Sequence, residues 1–216
     1  MRLFELHHPA AEVVNTTILP QIQQQCSEFI IAMKTARSYL YRGMFRSELN
    51  PIFSDISPIN RSPVGQPYSQ QLLLDRVFDM CSFGARRRNS ICCSPDMSDA
   101  EQFTSATDVA VAGAGSVYYI FPHNGFEFNW SKHIIDIGGS YELYLGLKQL
   151  QLDINDATGL TKSMAANFVD KYGFSHENLP AALRRGHEIL IHGAYTAVSY
   201  YYTDLVCEFF EMYDGE

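Results

Sequence analysis

The stretch His187-Glu188-Ile189-Leu190-Ile191-His192-Gly193 decides the fold class of this chain. A short apolar run that is bounded by polar residues and closed by glycine is typical of a β-strand. We expect a second strand over residues 197–203 that forms a hairpin with the first. Further strands are expected around Leu40, Ile91 and Tyr119. Helical patterns lie between these strands without steady alternation, which favours an α+β fold.

Apolar residues that recur every three or four positions predict the helices. The first runs from Pro20 to about Ser38, because proline suits a first helical turn. Ser98 and Glu101 have capping-box spacing, so a short helix should start near residue 99 and run past Phe103. A long irregular loop is expected over residues 44–69, which hold several prolines and little periodicity. The remaining helices are expected over residues 69–81, 140–150, 161–172 and 179–185.

The composition is that of a packed globular chain. Its 216 residues are 46% hydrophobic and 13% aromatic, which is too apolar for a disordered protein. The 16 basic and 24 acidic side chains give a formal charge of −8, which argues against general adhesion to nucleic acid or to an anionic membrane. We expect one domain over residues 1–216, with an N-terminal helical segment over 1–38 and a core over 39–206.

The cysteines indicate neither a metal site nor a disulfide framework. There are five of them, an odd number, with no C-x-x-C spacing, and the adjacent Cys92 and Cys93 point to opposite faces of a strand. The paired histidines His187 and His192 lack a third ligand at sensible spacing, so we expect no metal. Free thiols fit a reducing cytoplasm. No apolar run is long enough to span a bilayer, so no membrane partner is expected.

Three strand-associated patches follow one another in a suggestive order. They are Leu40-Tyr-Arg-Gly43, then Ser90-Ile-Cys-Cys-Ser94, then the stretch that begins with His187 and Glu188. Together they resemble the arginine–serine–glutamate signature of the ADP-ribosyltransferase fold, over roughly residues 38–203. The segment FPHNGFEFNWS, residues 121–131, is also similar to uncharacterised phage-encoded proteins. The resemblance implies a split, mostly antiparallel β-sheet core with peripheral helices.

The resemblance also implies an activity, the transfer of ADP-ribose from NAD to a host macromolecule with release of nicotinamide. NAD is then a substrate, and the acceptor is a host protein or nucleic acid in the host cytoplasm. Breaking the bond between nicotinamide and ribose creates an oxocarbenium-like centre, which a carboxylate stabilises. A guanidinium suits the pyrophosphate because it binds phosphate oxygens bidentately. The implied catalytic residue is Glu188, and the implied cofactor-binding residues are Arg42, Gly43, Ser90, Ser94 and Tyr119.

Two departures from the family pattern leave other functions open. Family members that modify arginine carry a second acid two positions before the glutamate, where this chain has Gly186. A different acceptor, or hydrolysis of NAD, is therefore an alternative. The leading hydroxyl of the serine strand is replaced by Cys92, a poor hydrogen-bond donor. A catalytically inactive protein that binds and inhibits a host factor is thus the second hypothesis.

The sequence also contains a short run of basic residues to which we assign no function. Residues Arg86, Arg87 and Arg88 stand together on an otherwise acidic chain. Such a run can contact nucleic acid or an acidic partner. A short basic run is more often a solvated turn, and we expect that here.

Overall fold

The computed structural model describes residues 11–44, 51–60, 67–102, 104, 115–154 and 159–212. These residues form an α+β fold, as the sequence predicts. The helical segments are α1 (Ala11–Val13), a π-helical turn (Val14–Ile18), α2 (Leu19–Gln25), α3 (Ser27–Ala36), α4 (Tyr68–Met80), α5 (Met97–Gln102), α6 (Tyr141–Ile154), α7 (Lys162–Tyr172), α8 (Leu179–Arg185), a 3₁₀ turn (Tyr200–Tyr202) and α9 (Thr203–Phe210). The strands are β1 (Tyr41–Met44), β2 (Ile52–Ile56), β3 (Ile91–Cys93), β4 (Ser116–Pro122), β5 (Glu127–Ser131), β6 (Phe174–Ser175), β7 (Ile189–His192) and β8 (Ala194–Ser199).

The strands form two antiparallel sheets that meet at one point. The first sheet has the order β1-β4-β8-β2 and the second has the order β3-β7-β5-β6. Edge strand β1 of the first sheet touches edge strand β3 of the second through an antiparallel bridge between Tyr41 and Ser94. Neither sheet is closed, and the described strands pair without any parallel ladder.

The chain passes from the second sheet to the first at Gly193. The expected hairpin is wrong, because β7 pairs with β3 and β5 while β8 pairs with β2 and β4. A hairpin needs a loop of at least two residues, and Gly193 alone separates the two strands. Its φ of +132° is open to glycine and lets the chain turn between the sheets. Ser57 holds this corner, since its Oγ accepts a hydrogen bond from the Gly193 N–H at 2.9 Å.

Two other expectations differ from the structure. The tyrosine run 200–202 is a 3₁₀ turn rather than the end of a strand, and it leads directly into α9. Aromatic residues favour strands, but the buried Val206, Cys207 and Phe210 that follow lie on one helical face. Residues 44–69 include β2, which pairs with β8. Its central and final residues are exposed, so the strand has no alternating pattern that the sequence could reveal.

The buried apolar side chains form two hydrophobic cores. The first sheet packs against α2, α3, α8 and α9, and its cluster includes Phe29, Tyr118 and Phe121. The second sheet packs against α4, α6 and α7, with Phe78 and Leu147 at the centre. Burying one such side chain contributes about 1.5–3 kcal/mol. No helix of the described chain is long and apolar enough to cross a membrane.

Strands β3 and β7 lie between the two cores. Ile189 and Ile191 face the first cluster, whereas Leu190 between them faces the second. A strand that is buried on both faces is a continuous apolar run rather than an alternating one. This explains why the stretch 187–193 is so strong a strand signal, and it places the start of β7 at the centre of the molecule.

Several helix ends confirm the sequence prediction, and one does not. Thr161 caps α7 by accepting the Met164 N–H, and Gly173 ends that helix with φ +63°. The capping box at Ser98 is wrong, because α5 already begins at Met97. Asp96 is the residue that caps, since its Oδ1 accepts the Ser98 N–H at 2.9 Å. The earlier cap allows α5 to start directly behind β3.

Candidate functional site

Strands β1, β3 and β7 lie side by side and bring the three sequence patches together. The Tyr41 N–H donates to the Ser94 carbonyl at 2.7 Å, and the Ser94 N–H donates back at 2.9 Å. On the other side of β3, Cys93 pairs with Ile189, the residue after Glu188. The arginine, serine and glutamate patches therefore occupy three neighbouring strands, with the serine strand in the middle.

Arg42 and Glu188 lie on either side of strand β3, and the charges of both act on one buried thiol of that strand, that of Cys93. Burial raises the pKa of the Cys93 thiol to about 12, and the hydrogen-bonded guanidinium of Arg42 lowers it only in part. The charge of Glu188 acts on the same thiol and raises its pKa further. A thiol with this pKa stays protonated and unreactive at neutral pH. Cys93 thus separates the two charged groups without taking part in chemistry itself.

The guanidinium of Arg42 makes a single described hydrogen bond to the backbone. Its Nη1 donates to the Cys92 carbonyl at 2.9 Å, and the side chain is half-buried. This bond joins β1 to β3 beyond the Tyr41–Ser94 bridge. A carbonyl is a neutral acceptor, and hydrogen bonds from a guanidinium to an ionised acceptor are roughly twice as strong. The Cys92 carbonyl is therefore a weaker partner for Arg42 than an anion would be.

The carboxylate of Glu188 is held by backbone N–H groups of a turn, residues 136–139. Its Oε2 accepts from the Ile137 N–H at 2.6 Å and from the Gly138 N–H at 3.2 Å. The Glu188 N–H itself donates to the Ile135 carbonyl at 2.7 Å. Two backbone donors aimed at one oxygen fix the orientation of a half-buried carboxylate.

A second carboxylate, that of Asp136, meets Glu188 at the same turn. The Oδ1 of Asp136 accepts from the Gly138 N–H at 2.7 Å and from the Gly139 N–H at 2.8 Å. The Gly138 N–H is therefore shared by two carboxylates. Asp136 is exposed, so this side of the turn is open to solvent.

Arg87 lies behind this turn, and its position corrects the interpretation of the basic run. The residue is only 4% exposed, so a fully solvated turn is wrong. Burial lowers the pKa of Arg87, but electrostatic interactions, foremost those with Cys92 and Glu188, outweigh it and raise the pKa above its ordinary value. Asp136 and Asp75 act in the same direction.

The flanking arginines bind acids of α4. Arg86 forms an ion pair with Asp79, and the Arg88 Nη2 lies 3.6 Å from the same carboxylate. The Arg88 Nε lies 3.8 Å from the Oδ2 of Asp75, which is 1% exposed. The run is thus anchored to the helix before it, and this anchoring turns Arg87 inward.

The two serines of the central strand have structural contacts. Ser94 Oγ accepts the Asp96 N–H at 3.0 Å and donates to Asp99 Oδ2 at 3.3 Å, so it supports the first turn of α5. Ser90 is fully buried, and its hydroxyl donates to Asn89 Oδ1 at 3.1 Å. Ser94 lies beside the Arg42 and Glu188 strands, whereas Ser90 lies at the far end of β3.

Gly43 and Tyr119 lie near the site but contact protein atoms rather than its open face. A Cβ on Gly43 would stand 2.1 Å from the Ala100 carbonyl oxygen, so glycine allows α5 to pack on β1. Tyr119 is 1% exposed, and its hydroxyl donates to Thr203 Oγ1 at 3.1 Å. Its ring stacks on Tyr200 in an aromatic cluster of the first core. Phe103, another aromatic candidate, lies outside the described residues.

Sequence reasoning missed the residues that surround Glu188. The sequence contains two signals of these surroundings. One is a pair of acids, at positions 75 and 79, that share a helix face shortly before the triple arginine. The other is the Gly138-Gly139 doublet that lies close behind Asp136. Consecutive backbone N–H groups in a glycine-rich turn form a concave site for an anion. Within the described ranges, no group of three His, Cys, Asp or Glu side chains is arranged to hold a metal ion.

Comparison with known proteins adds no relative: no protein-family model, curated protein or solved structure matches the chain. The functional argument therefore depends on the residues of the site and on the resemblance in the sequence.

Proposed function

We propose that the protein is a NAD-dependent ADP-ribosyltransferase, which cleaves the bond between nicotinamide and ribose and transfers ADP-ribose to a host macromolecule. The observation that carries the proposal is the adjacency of β1, β3 and β7. These strands bring Arg42 and Glu188 to either side of the central strand β3, which Ser94 directly follows. The strands β1, β3 and β7 are far apart in sequence, so their adjacency is a result of the fold and not of local chain geometry.

The two charged groups have complementary roles in this reaction. Glu188 stabilises the positive charge that develops on the ribose when the electron pair of the glycosidic bond leaves with nicotinamide. Its two N–H contacts orient the carboxylate before the substrate arrives. Arg42 exchanges its carbonyl partner for the pyrophosphate, an ionised and bidentate acceptor.

The remaining sequence-predicted residues are given supporting roles. Ser94 and Gly43 hold α5 against the Arg42 strand, and in this proposal they shape the site around the ribose. The contacts of Ser90 and Tyr119 are those of core residues, so no direct contact with NAD is proposed for them. The proposed setting is a cytoplasm, in keeping with five free cysteines.

Labelled NAD and a bacterial lysate test the proposal directly. Wild-type protein is expected to release nicotinamide and to transfer the ADP-ribose label to a lysate macromolecule. Digestion of the labelled product by protease or by nuclease identifies the class of acceptor. Absence of both nicotinamide release and label transfer, at protein concentrations well above those of ordinary enzymes, contradicts the proposal.

A second candidate function is a catalytically inactive protein that binds a host factor. The observation that favours it is that the polar groups of the site already form hydrogen bonds with other parts of the protein. Arg42 bonds to a backbone carbonyl, Glu188 bonds to a turn, and the Ser94 hydroxyl supports α5. Capture of a host protein that survives the double substitution Arg42→Ala and Glu188→Ala, with no NAD cleavage by wild type, supports this candidate.

A further inference from the structure

The buried arginine of the basic run touches the turn that holds Glu188. Arg87 is 4% exposed, and its backbone N–H donates to Asp75 Oδ1 at 3.0 Å. Its guanidinium lies against Gly138, where an added Cβ would be 2.6 Å from Nη1 and 2.9 Å from Nη2. A side chain at position 138 would therefore have to displace the guanidinium. Among the described residues, Nη1 has no hydrogen-bond partner although it is buried.

The same glycine connects the guanidinium to the carboxylate. The Gly138 N–H donates to Glu188 at 3.2 Å and to Asp136 at 2.7 Å. The N–H of Gly138 thus contacts two carboxylates, and the guanidinium of Arg87 lies against the same residue. Two carboxylates that share one donor repel each other, and a positive charge behind the donor offsets that repulsion.

A buried cation without a hydrogen-bonded anion is costly to keep. Arg86 and Arg88 already bind the acids of α4, so the helix does not need a third arginine for anchoring. A neutral side chain of similar length fills the same space without that cost. The charge of Arg87 is therefore explained better by its effect on the turn than by packing.

We infer that Arg87 is a positioning residue for Glu188: it fixes the Ile137–Gly138 peptides and balances the charge of the two carboxylates that meet there. This inference rests on the proposed function for its catalytic consequence. Arg87 acts through the turn and does not bind NAD, since its Nη1 is enclosed by protein. Its loss lowers turnover by misplacing Glu188 and leaves the binding of the dinucleotide unchanged.

The first test follows the backbone and needs no activity. Amide hydrogen exchange is measured by NMR for Ile137 and Gly138 in wild type, in Arg87→Met and in Arg87→Lys. The matched control is Arg76→Met, which removes an exposed arginine of α4. Arg87→Met is expected to speed exchange at these two amides by about tenfold or more and to leave the amides paired between β3 and β7 unchanged. Arg87→Lys keeps the charge and is expected to recover much of the protection.

The second test follows nicotinamide release. Arg87→Met is expected to lower kcat by about 100-fold, with KM for NAD within about twofold of wild type. Arg87→Lys restores part of kcat, and Arg76→Met leaves both constants unchanged. If Arg87→Met does not fold, Gly138→Ala places a methyl group against the guanidinium from the other side. That variant is expected to disturb the same two amides and the same kcat.

The outcomes of the two tests are separable. Unchanged exchange at Ile137 and Gly138 in both Arg87→Met and Gly138→Ala overturns the inference, whatever the activity. A parallel rise in KM overturns it as well, because a positioning residue does not touch the dinucleotide. If wild type releases no nicotinamide, the proposed function fails, and amide exchange still decides whether Arg87 fixes the turn.

Discussion

The two ends of the proposed site are held in different ways. At one end the Glu188 carboxylate accepts two backbone N–H groups, and a buried arginine lies behind their turn. At the other end the Arg42 guanidinium donates one described hydrogen bond to a neutral carbonyl. The carboxylate is fixed before any substrate is present, whereas the guanidinium is free to change its partner.

This difference matches the demands of the proposed reaction. A group that stabilises charge in a transition state is most effective when it needs no reorganisation at that moment. A group that captures a substrate benefits from a weak partner that an incoming phosphate displaces. We therefore expect substitutions at the Glu188 end to change kcat or stability and substitutions at the Arg42 end to change KM.

The largest effect is expected from Glu188→Gln. The amide keeps the shape of the side chain but removes the charge, so kcat for nicotinamide release should fall by about 10³-fold with little change in KM. The measurement is steady-state release of nicotinamide. Glu177→Gln, the same change at an exposed glutamate, serves as the control. Equal activity of the Glu188→Gln variant and wild type contradicts a catalytic role for this carboxylate.

Asp75→Asn changes stability behind the same end of the site. Burial raises the pKa of Asp75 from 3.8 to about 6, despite the opposing Arg87 backbone bond and the charge of Arg88. The folded state thus binds this proton more tightly than the unfolded state, so wild type loses stability as the pH rises through that window. Asparagine keeps the acceptor for Arg87 and removes the ionisation.

The Asp75→Asn variant is expected to be more stable than wild type at pH 7 by about 3 kcal/mol, and the gain should vanish near pH 4. Urea unfolding across this pH range measures it. A gain for Asp75→Asn that does not change with pH rules out the buried ionisation.

Arg42→Ala probes the adjustable end. Loss of the guanidinium removes charged contacts to the pyrophosphate, so KM for NAD should rise by about 30-fold while kcat changes by about threefold or less. Calorimetric titration with NAD gives the same comparison without turnover. Arg185→Ala removes an exposed arginine as the control. A fall in kcat at constant KM reverses the proposed contrast between the two ends.

The smallest effect is expected from Ser94→Ala. The Ser94 hydroxyl bonds to the Asp96 N–H and to Asp99, so its loss should cost about 1 kcal/mol of unfolding free energy. Chemical denaturation measures the loss. Ser163→Ala, the same change at an exposed serine of α7, provides the control. A loss of NAD binding without a loss of stability assigns Ser94 to the ligand instead of to α5.

The sequence predicts the strands that carry the site because those strands are buried on both faces. A strand that is buried on both faces requires a continuous apolar run, here residues 189–191. This run predicts the strand even when the strands that pair with it are unknown. Arg42, Ser94 and Glu188 lie in or beside three strands that the structure brings next to one another. Their adjacency follows from sheet order, which the sequence reaches only through the family resemblance.

The surroundings of Glu188 could not be predicted in the same way. Whether Arg87 is solvated or buried depends on how α4 docks, and the triple arginine looks the same in both cases. The role of Gly138 depends on a contact with a side chain about fifty positions away. The hairpin was wrong for a local reason, since the start of β8 at Ala194 leaves too short a loop.

The most direct test of the central claim is a crystal structure of the Glu188→Gln variant with NAD, which this substitution should leave uncleaved. The account predicts that the pyrophosphate lies within hydrogen-bond distance of the Arg42 guanidinium and that the nicotinamide-bearing ribose lies against residue 188. NAD bound elsewhere, or a variant that folds like wild type and binds no NAD at saturating concentration, contradicts the account.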